Sequence, residues 1–212
     1  SHRLNASVRT LVIETATAAC SVALFDKDSV IAADHQVVGR GHAERLIPMI
    51  GGLPDQGRAD RILVDCGPGS FTGVRVGIAA ARGLGIGWGA QVLGYSSTSL
   101  VAAAAFADGH ASDALLVVLE GGHGEVFTRG FAAGPLREAD ALASRVPTDA
   151  LATLDGRTAV GNGVHHLIAI APDTRVIEVL PDASRALLIP AAMRSLEPAP
   201  IYGRAPDAKP NG

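Results

Sequence analysis

The chain has 212 residues, of which 48% are hydrophobic and 18% carry a charged side chain. This length suits one domain or two small lobes that share a seam. Eighteen basic against 21 acidic residues give a formal net charge of −3, so the chain lacks the strongly basic field that attracts nucleic-acid phosphates. The charged fraction lies below the usual ~25%, which indicates either a surface partly covered by a partner or an Ala-rich composition.

The apolar stretches of the chain do not predict a membrane span. The best candidate, 73–93, is interrupted by two arginines, whereas a span needs ~20 predominantly apolar residues. Residues 1–8 lack the apolar region of a signal peptide. Cys20 and Cys66 lie in apolar segments without a C-x-x-C spacing, which favours two buried, reduced thiols. These features predict a cytoplasmic protein.

The first half of the chain predicts a meander of three antiparallel strands, followed by helices alternating with strands. The second helix lies between two predicted strands, which favours a parallel crossover. In chain order, the predicted strands cover 10–14, 20–25, 29–38, 60–66 and 91–95, and the predicted helices cover 42–50, 72–88 and 97–107.

A Gly/Asp/Ser segment at 108–113 predicts a boundary between two lobes. The second half is more irregular. Strands are predicted at 114–119, 125–131 and near 159, and helices at 137–144, 164–170 and within 183–196, the last one kinked or split by Pro190. From residue 197 onward, four prolines predict an extended tail with a disordered end.

The run Cys66-Gly-Pro-Gly-Ser-Phe-Thr-Gly-Val-Arg-Val-Gly77 is the most informative stretch. It lacks the Lys of a phosphate-binding Walker loop, the third Gly of a dinucleotide fingerprint and the two glycines that flank a hydrolase nucleophile. A strand–loop–helix junction remains. Its free amides could hold an anion through Gly69 and Ser70, or the loop could be a structural turn.

The helix after this loop is rich in glycine. Each interior glycine costs about 0.8–1 kcal/mol against Ala, so the helix needs a neighbour that packs closely against it. The interior glycines are Gly77, Gly83, Gly85 and Gly87. At 100° per residue, one broad face carries Gly73, Gly77, Ala80, Ala81 and Leu84. Packing against the chain's own sheet accounts for part of this pattern, and we predict that another chain accounts for the rest.

Arg75 and Arg82 share the opposite face of the same helix. Arg75 lies near the helix N-terminus, where a cation is electrostatically unfavourable. Such a placement favours a role in a protein interface or at an anion, with a solvated charge as the alternative.

A metal centre is not predicted. The chain has no H-E-x-x-H motif, His42 has no histidine four residues later, and the other histidines show no ligand spacing. Glu14 and Thr15 lie at a strand–turn–strand, where an acid and a hydroxyl could meet a nucleotide phosphate and its metal. The alternative there is a polar hairpin tip.

Three runs of the sequence resemble the bacterial TsaB (YeaZ) family: Leu11–Leu24, His42–Ile50 and, most specifically, Gly67–Gly77. The shorter segments Gly124–Phe127, Gly161–Gly163 and Pro200–Tyr202 are similar as well. The resemblance covers most of residues 8–203 and is looser after the first hundred. It implies an α/β fold of the actin-like ATPase-domain (ribonuclease H-like) class, with two duplicated lobes of mixed sheets flanked by helices. The N-terminal lobe would cover 8–107, the C-terminal lobe 108–196 and the tail 197–212.

The resemblance also implies a function. Members of this family take part in making threonylcarbamoyladenosine beside the anticodon of certain tRNAs. They are regarded as noncatalytic partners of the related transferase subunit TsaD, which the small ATPase TsaE joins. The His-x-x-x-His metal pair of the transferase corresponds here to Ser97 and Val101. We therefore expect no catalytic residue, no metal and no cofactor, and contact with tRNA only through the complex.

Family members pair through two N-terminal helices, here about 42–51 and 72–88, and can homodimerise through the same surface. The implied interface residues are His42, Glu44, Leu46, Met49, Ile50, Thr72, Arg75, Val76, Ala79 and Arg82. Glu14 stands where the family usually has Asp, and Glu120-Gly-Gly-His123 and Gly203 also depart from the family pattern. These departures put nucleotide contact in doubt. The alternatives are an actin-fold ATP-dependent phosphotransferase or ATPase and, less favoured, a peptidase.

Overall fold

Two mixed β-sheets form the framework of the computed structural model, which describes residues 7–203. The N-terminal sheet has the order β3-β2-β1-β4-β5, in which β1 to β3 are antiparallel and β4 and β5 run parallel to β1. Its strands are β1 (Arg9–Glu14), β2 (Ala19–Asp26), β3 (Ser29–Val37), β4 (Arg61–Asp65) and β5 (Gln91–Tyr95).

The C-terminal sheet repeats this arrangement. Its order is β11-β10-β6-β7-β8, with β9 also paired to β7. Strands β6 and β7 are antiparallel, whereas β10 and β11 run parallel to β6. The strands are β6 (Ala114–Gly122), β7 (Glu125–Ala132), β8 (Arg137–Glu138), β9 (Ala143–Arg145), β10 (Thr158–Val160) and β11 (Val176–Ile177). The predicted α/β class with two mixed sheets flanked by helices is therefore confirmed.

Helices cover both faces of the N-terminal sheet. On one face, Leu11 and Ile13 of β1 pack in a core with residues of α1 (His42–Gly51) and α2 (Phe71–Trp88). On the other face, Val12 packs with α3 (Ser97–Ala107) and with a 3-10 helix at Ala183–Leu188. Successive strand residues point to opposite faces, so both faces of β1 are buried and its residues 11–13 are all apolar.

Helix α3 is buried on nearly all sides because it lies between the two sheets. Leu100 and Ala103 contact the N-terminal core, and Val101 and Ala105 contact the core that β6 contributes to. A helix that is apolar all round is expected in such a place. Its N-cap is Ser96, whose Oγ accepts a hydrogen bond from the Thr98 N–H. The outer face of the C-terminal sheet is covered by α4 (Pro147–Ala152) and α5 (His165–Ile168).

The predicted helix at 137–144 is wrong, because this segment forms the short edge strands β8 and β9, both paired to β7. Helix α4 and strand β11 were not predicted. The segment 183–196 splits at Pro190 as predicted, into 3-10 helices at Ala183–Leu188 and Ala191–Arg194. A further 3-10 helix covers Pro54–Gly57.

After β11 the chain returns to the N-terminal sheet. Leu196 pairs with Gly94 of β5, and the N–H of Ile201 donates to the carbonyl of Cys66. The predicted lobe boundaries stay predictions, although residues 183–189 pack on the N-terminal sheet rather than on the C-terminal one. Residues 204–212 of the predicted tail lie outside the described residues. Among residues 7–203, no helix combines the length and apolar character that a membrane crossing demands.

Candidate functional site

An open cleft of about 1180 Å³ lies where the two sheets face each other. Residues from the β1–β2 turn, the start of α2, the β6–β7 turn and the segment 200–203 line it. Among the described lining residues, the ionisable side chains are those of Arg40, Arg75, Glu120, His123 and Tyr202. The cleft is therefore wide enough for a ligand of nucleotide size but offers a single carboxylate.

The glycine-rich loop borders the cleft and packs tightly on the β1–β2 turn. A Cβ at Gly69 would overlap the carbonyl oxygen of Ala16, and one at Gly73 would overlap that of Thr15. The Ser70 Oγ accepts a hydrogen bond from the Gly73 N–H and so caps α2. This close backbone approach explains the glycines and supports the structural-turn interpretation. Gly69 and Ser70 do line the cleft.

Glu14 and Thr15 do not line the cleft, which corrects the hypothesis that their side chains meet a nucleotide. Both are fully buried. The hydroxyl of Thr15 donates to the carbonyl of Gly73, and the Glu14 carboxyl accepts from the Ala16 N–H and the Tyr95 hydroxyl. These side chains tie the β1–β2 turn to α2 and β5 from the inside.

Glu14 lies against a second buried acid, Asp65 at the end of β4. Burial raises the pKa of Glu14, and burial together with the neighbouring Glu14 raises the pKa of Asp65 well above its usual value. The Asp65 Oδ1 accepts from the Gly67 N–H. Two carboxyl groups in contact resist ionising together, so the pair keeps its last proton to a higher pH than an isolated carboxyl group does.

The two arginines of α2 bind the chain's own C-terminal segment. The Arg82 guanidinium donates from Nε and Nη2 to the carbonyl of Pro198, at 3.2 and 2.6 Å. Arg75 stacks over the Phe71 ring at 3.4 Å from its centroid and donates from Nη2 to the Tyr202 hydroxyl. The outward-pointing arginines of the sequence analysis thus have intramolecular partners.

The predicted interface residues of α1 divide into two groups. His42, Leu46, Met49 and Ile50 are buried beneath the helix, Leu46 being 1% exposed, so they belong to the core and not to an accessible surface. The His42 Nε2 lies 2.7 Å from the carbonyl oxygen of Thr17. Glu44 and its neighbour Ile47 face outward.

On α2, Thr72, Ala79 and Arg82 are exposed and Val76 is half-buried. The glycines of α2 also divide into a buried group and an exposed group. A Cβ at Gly77 would overlap the Thr15 Oγ1, and one at Gly85 would lie 2.5 Å from Cγ2 of Val92. At Gly83 and Gly87, by contrast, a Cβ would meet no atom of the described chain within 4 Å.

Three potential metal ligands converge beside the cleft. Glu120, His165 and His166 bring their ligand atoms within 4.8 Å of one another. Sequence reasoning missed this cluster because Glu120 is remote in sequence from the two adjacent histidines, and linear ligand spacing cannot register such a pairing. The histidines show no ligand spacing along the chain, but the fold brings two of them together with Glu120.

Comparison with known proteins identifies relatives of this chain. The family model described as "TsaD: tRNA N6-adenosine threonylcarbamoyltransferase" matches residues 33–143. The Escherichia coli K12 protein called tRNA threonylcarbamoyladenosine biosynthesis protein TsaB is 36% identical over 125 residues, which are 57% of this chain and 53% of that protein. The chain thus spans about half the length of that relative.

Two other similarities extend over nearly the whole chain. An uncharacterized protein of Mycobacterium tuberculosis is 31% identical over 94% of this chain and 93% of its own length. A crystal structure from Pseudomonas aeruginosa, described as an uncharacterized protein with similarity to peptidase YEAZ, superimposes with a TM-score of 0.79 at 26% identity, covering 93% of this chain and 100% of that one.

The duplicated sheets enclosing a cleft define a two-lobed α/β protein of the actin-like ATPase fold class. Within that class, the matches place the chain in one family of tRNA threonylcarbamoyladenosine biosynthesis proteins. The chain belongs to the TsaB (YeaZ) family.

Proposed function

We propose that this chain is a noncatalytic subunit for tRNA threonylcarbamoyladenosine formation, which activates a TsaD-type transferase by binding it. TsaE would join the assembly, tRNA would be contacted only through the complex, and the setting would be the cytoplasm. In isolation the chain would form a homodimer through the surface of α1 and α2 that binds the transferase. Membership of the TsaB family supports the pathway, and the exposed side of α1 and α2 supports the mode of action.

The observation that carries this proposal is an exposed stripe of small and apolar residues, here called the pairing surface. It consists of Ile47, Ala79, Gly83, Ile86 and Gly87. Ile47 is 53% exposed and Ile86 is 86% exposed. A groove of about 380 Å³ beside the stripe is lined in part by Leu84 and Trp88.

Glycines at exposed, helical positions destabilise the isolated subunit. Each costs about 0.8–1 kcal/mol against Ala. Within the described chain there is room for a side chain at both Gly83 and Gly87, so packing inside the subunit does not explain these two glycines. Close approach of a second helix would use that space and would cover Ile86. Small residues at a helix face permit such an approach, and the burial of apolar area would offset the glycine penalty.

The residues around the cleft favour a binding role over the alternative ATPase or phosphotransferase. The acid and the hydroxyl that would contact a nucleotide and its metal, Glu14 and Thr15, are buried and engaged. The positions that correspond to the metal pair of the transferase are Ser97 and Val101, both inside the α3 core, and the Ser97 hydroxyl donates to the carbonyl of Pro68.

The substitution Gly83→Arg tests the pairing surface. It adds a side chain where the folded subunit has open space, so the subunit should fold while a close helix–helix contact is blocked. Ala152→Arg, at an exposed position at the end of α4, is the matched control. Gly77 is unsuitable because any side chain there would collide with Thr15.

We expect Gly83→Arg to abolish co-elution with a purified TsaD-type subunit and to shift any self-association toward monomer in analytical ultracentrifugation. Ala152→Arg should leave both unchanged. Equal co-elution of both variants with the TsaD-type subunit would contradict the proposal. Calorimetric titration with ATP and magnesium addresses the alternative, because tight binding with turnover by the isolated chain would favour an ATPase.

A further inference from the structure

A single carboxylate oxygen lies between two imidazole nitrogens at the edge of the cleft. The Glu120 Oε2 is 2.8 Å from Nε2 of His166 and 3.3 Å from Nε2 of His165. The two imidazole rings lie 4.2 Å apart between centroids, with a tilt of 34°. The three side chains therefore direct one potential ligand atom each toward a common point.

Contacts within the chain fix the two backbone segments that carry these side chains. The Glu120 N–H donates to Oδ1 of Asn162, which fixes the end of β6 to the loop that leads into α5. A Cβ at Gly163 would lie 2.7 Å from the carbonyl carbon of Leu119, so this loop presses directly on β6. Buried Val164 and Leu167 anchor α5 on the C-terminal sheet.

The donor set is chemically selective. Two imidazole nitrogens and one carboxylate oxygen suit Zn²⁺ and its transition-metal neighbours, whereas Mg²⁺ and Ca²⁺ prefer oxygen ligands. The side chains are 40%, 50% and 26% exposed for Glu120, His165 and His166. The ion could therefore enter from solvent, and water could complete its coordination.

We propose that Glu120, His165 and His166 form a binding site for a divalent transition-metal ion, with Zn²⁺ as the best match. The ion clips α5 to the end of β6 and adds positive charge at the margin of the cleft, next to Asn162. The site is separate from the pairing surface, and its existence does not depend on the proposed partner.

Calorimetric titration with ZnCl₂ tests the site. The sample is the full chain without an added polyhistidine tag, stripped of metal by a chelator. MgCl₂ is the control ion, which the site should not bind. Binding of Co²⁺ provides a second readout, because its visible absorption reports a low-coordinate nitrogen and oxygen environment. The variants are Glu120→Gln, His165→Ala and His166→Ala. His110→Ala, at an exposed histidine away from the cluster, is the matched control.

We expect one Zn²⁺ per chain at this site, a loss of affinity of roughly tenfold or more in each ligand variant, and no change in His110→Ala. Circular dichroism of the metal-free variants verifies that they fold. Failure of the wild-type chain to bind Zn²⁺ would overturn the proposal. So would binding that persists unchanged in both Glu120→Gln and His166→Ala, because the ion would then lie elsewhere.

Discussion

The carboxyl groups of Glu14 and Asp65 lie against each other in the fully buried interior of the N-terminal sheet. No N–H or O–H donor among the described residues reaches the Asp65 Oδ2, so a proton shared with Glu14 would satisfy it. The last proton of the pair should therefore leave with a raised pKa. The pair joins β1 to β4 at the base of the glycine-rich loop.

This pair makes stability depend on pH. The folded chain holds a proton that the unfolded chain releases near the ordinary carboxyl pKa of about 4, since the pKa of Asp65 is raised. The free energy of unfolding should therefore fall as pH rises from about 4 through the raised pKa, by at most about 1.4 kcal/mol per pH unit for one proton.

Asp65→Asn should flatten this profile. The amide cannot ionise, its Oδ1 can still accept from the Gly67 N–H, and its Nδ2 can donate to Glu14. Urea unfolding across the acid-to-neutral range checks the expectation, with the exposed Asp173→Asn as the control. Parallel profiles for wild type and Asp65→Asn would show that the pair does not share a proton.

Two glycines of α2 should respond in opposite directions to the same substitution. Gly83→Ala fills open space on an exposed helix face and should raise the free energy of unfolding by about 0.5–1 kcal/mol. Gly77→Ala forces a methyl group against the buried hydroxyl of Thr15 and should lower it by roughly 1–3 kcal/mol. Chemical denaturation measures both, and changes of the same sign would contradict the assigned faces.

Substitutions at two adjacent residues of α1, one in the core and one on the surface, should differ in their effect on stability. Leu46→Ala removes a side chain that is 1% exposed and should cost about 2–5 kcal/mol of stability. Ile47→Ala alters a side chain that is 53% exposed and should change stability by less than about 1 kcal/mol. If both variants unfolded at the same denaturant concentration, Leu46 would not be a core residue of the isolated subunit.

The contact between Arg82 and Pro198 should hold the C-terminal segment on α2. Arg82→Ala removes both hydrogen bonds to the Pro198 carbonyl, each bond being worth about 0.5–1.5 kcal/mol net. Hydrogen exchange at the Ile201 amide, which is bonded to Cys66, should accelerate by roughly threefold to tenfold. The amide of Leu63 in the interior strand β4 is the internal control. Equal exchange rates at Ile201 in the wild type and in Arg82→Ala would show that Arg82 does not hold the C-terminal segment.

The N-terminal half of the fold was predictable because its signals are local. Alternating or continuous apolar runs coincide with β1 to β5, and the periodic apolar positions of 42–50 coincide with α1. The helix predicted at 137–144 was wrong because the strands formed there are only two and three residues long. Such short strands are defined by pairing with β7, and sequence periodicity does not record that pairing.

The candidate sites were predictable only in part, since burial is a property of the assembled fold. The amphipathic pattern of α1 marked Leu46 and Ile50, but the pattern alone does not say whether the apolar face of the helix contacts a partner or the chain's own sheet. The role predicted for the arginines of α2, in a protein interface or at an anion, stays a prediction, because in the structure they contact the chain's own C-terminal segment. Their partners, Pro198 and Tyr202, lie more than a hundred residues away and carry no sequence signal of that contact.

The return of the chain from β11 to the N-terminal sheet means that two separate connections join the halves of the molecule, one after α3 and one before Ala183. Two crossings define an axis. We therefore expect relative motion of the halves to be a rotation about this line that opens or narrows the cleft, and we expect sliding of one half across the other to be opposed. An ion or partner that acts on one rim of the cleft would thus set the distance to the opposite rim.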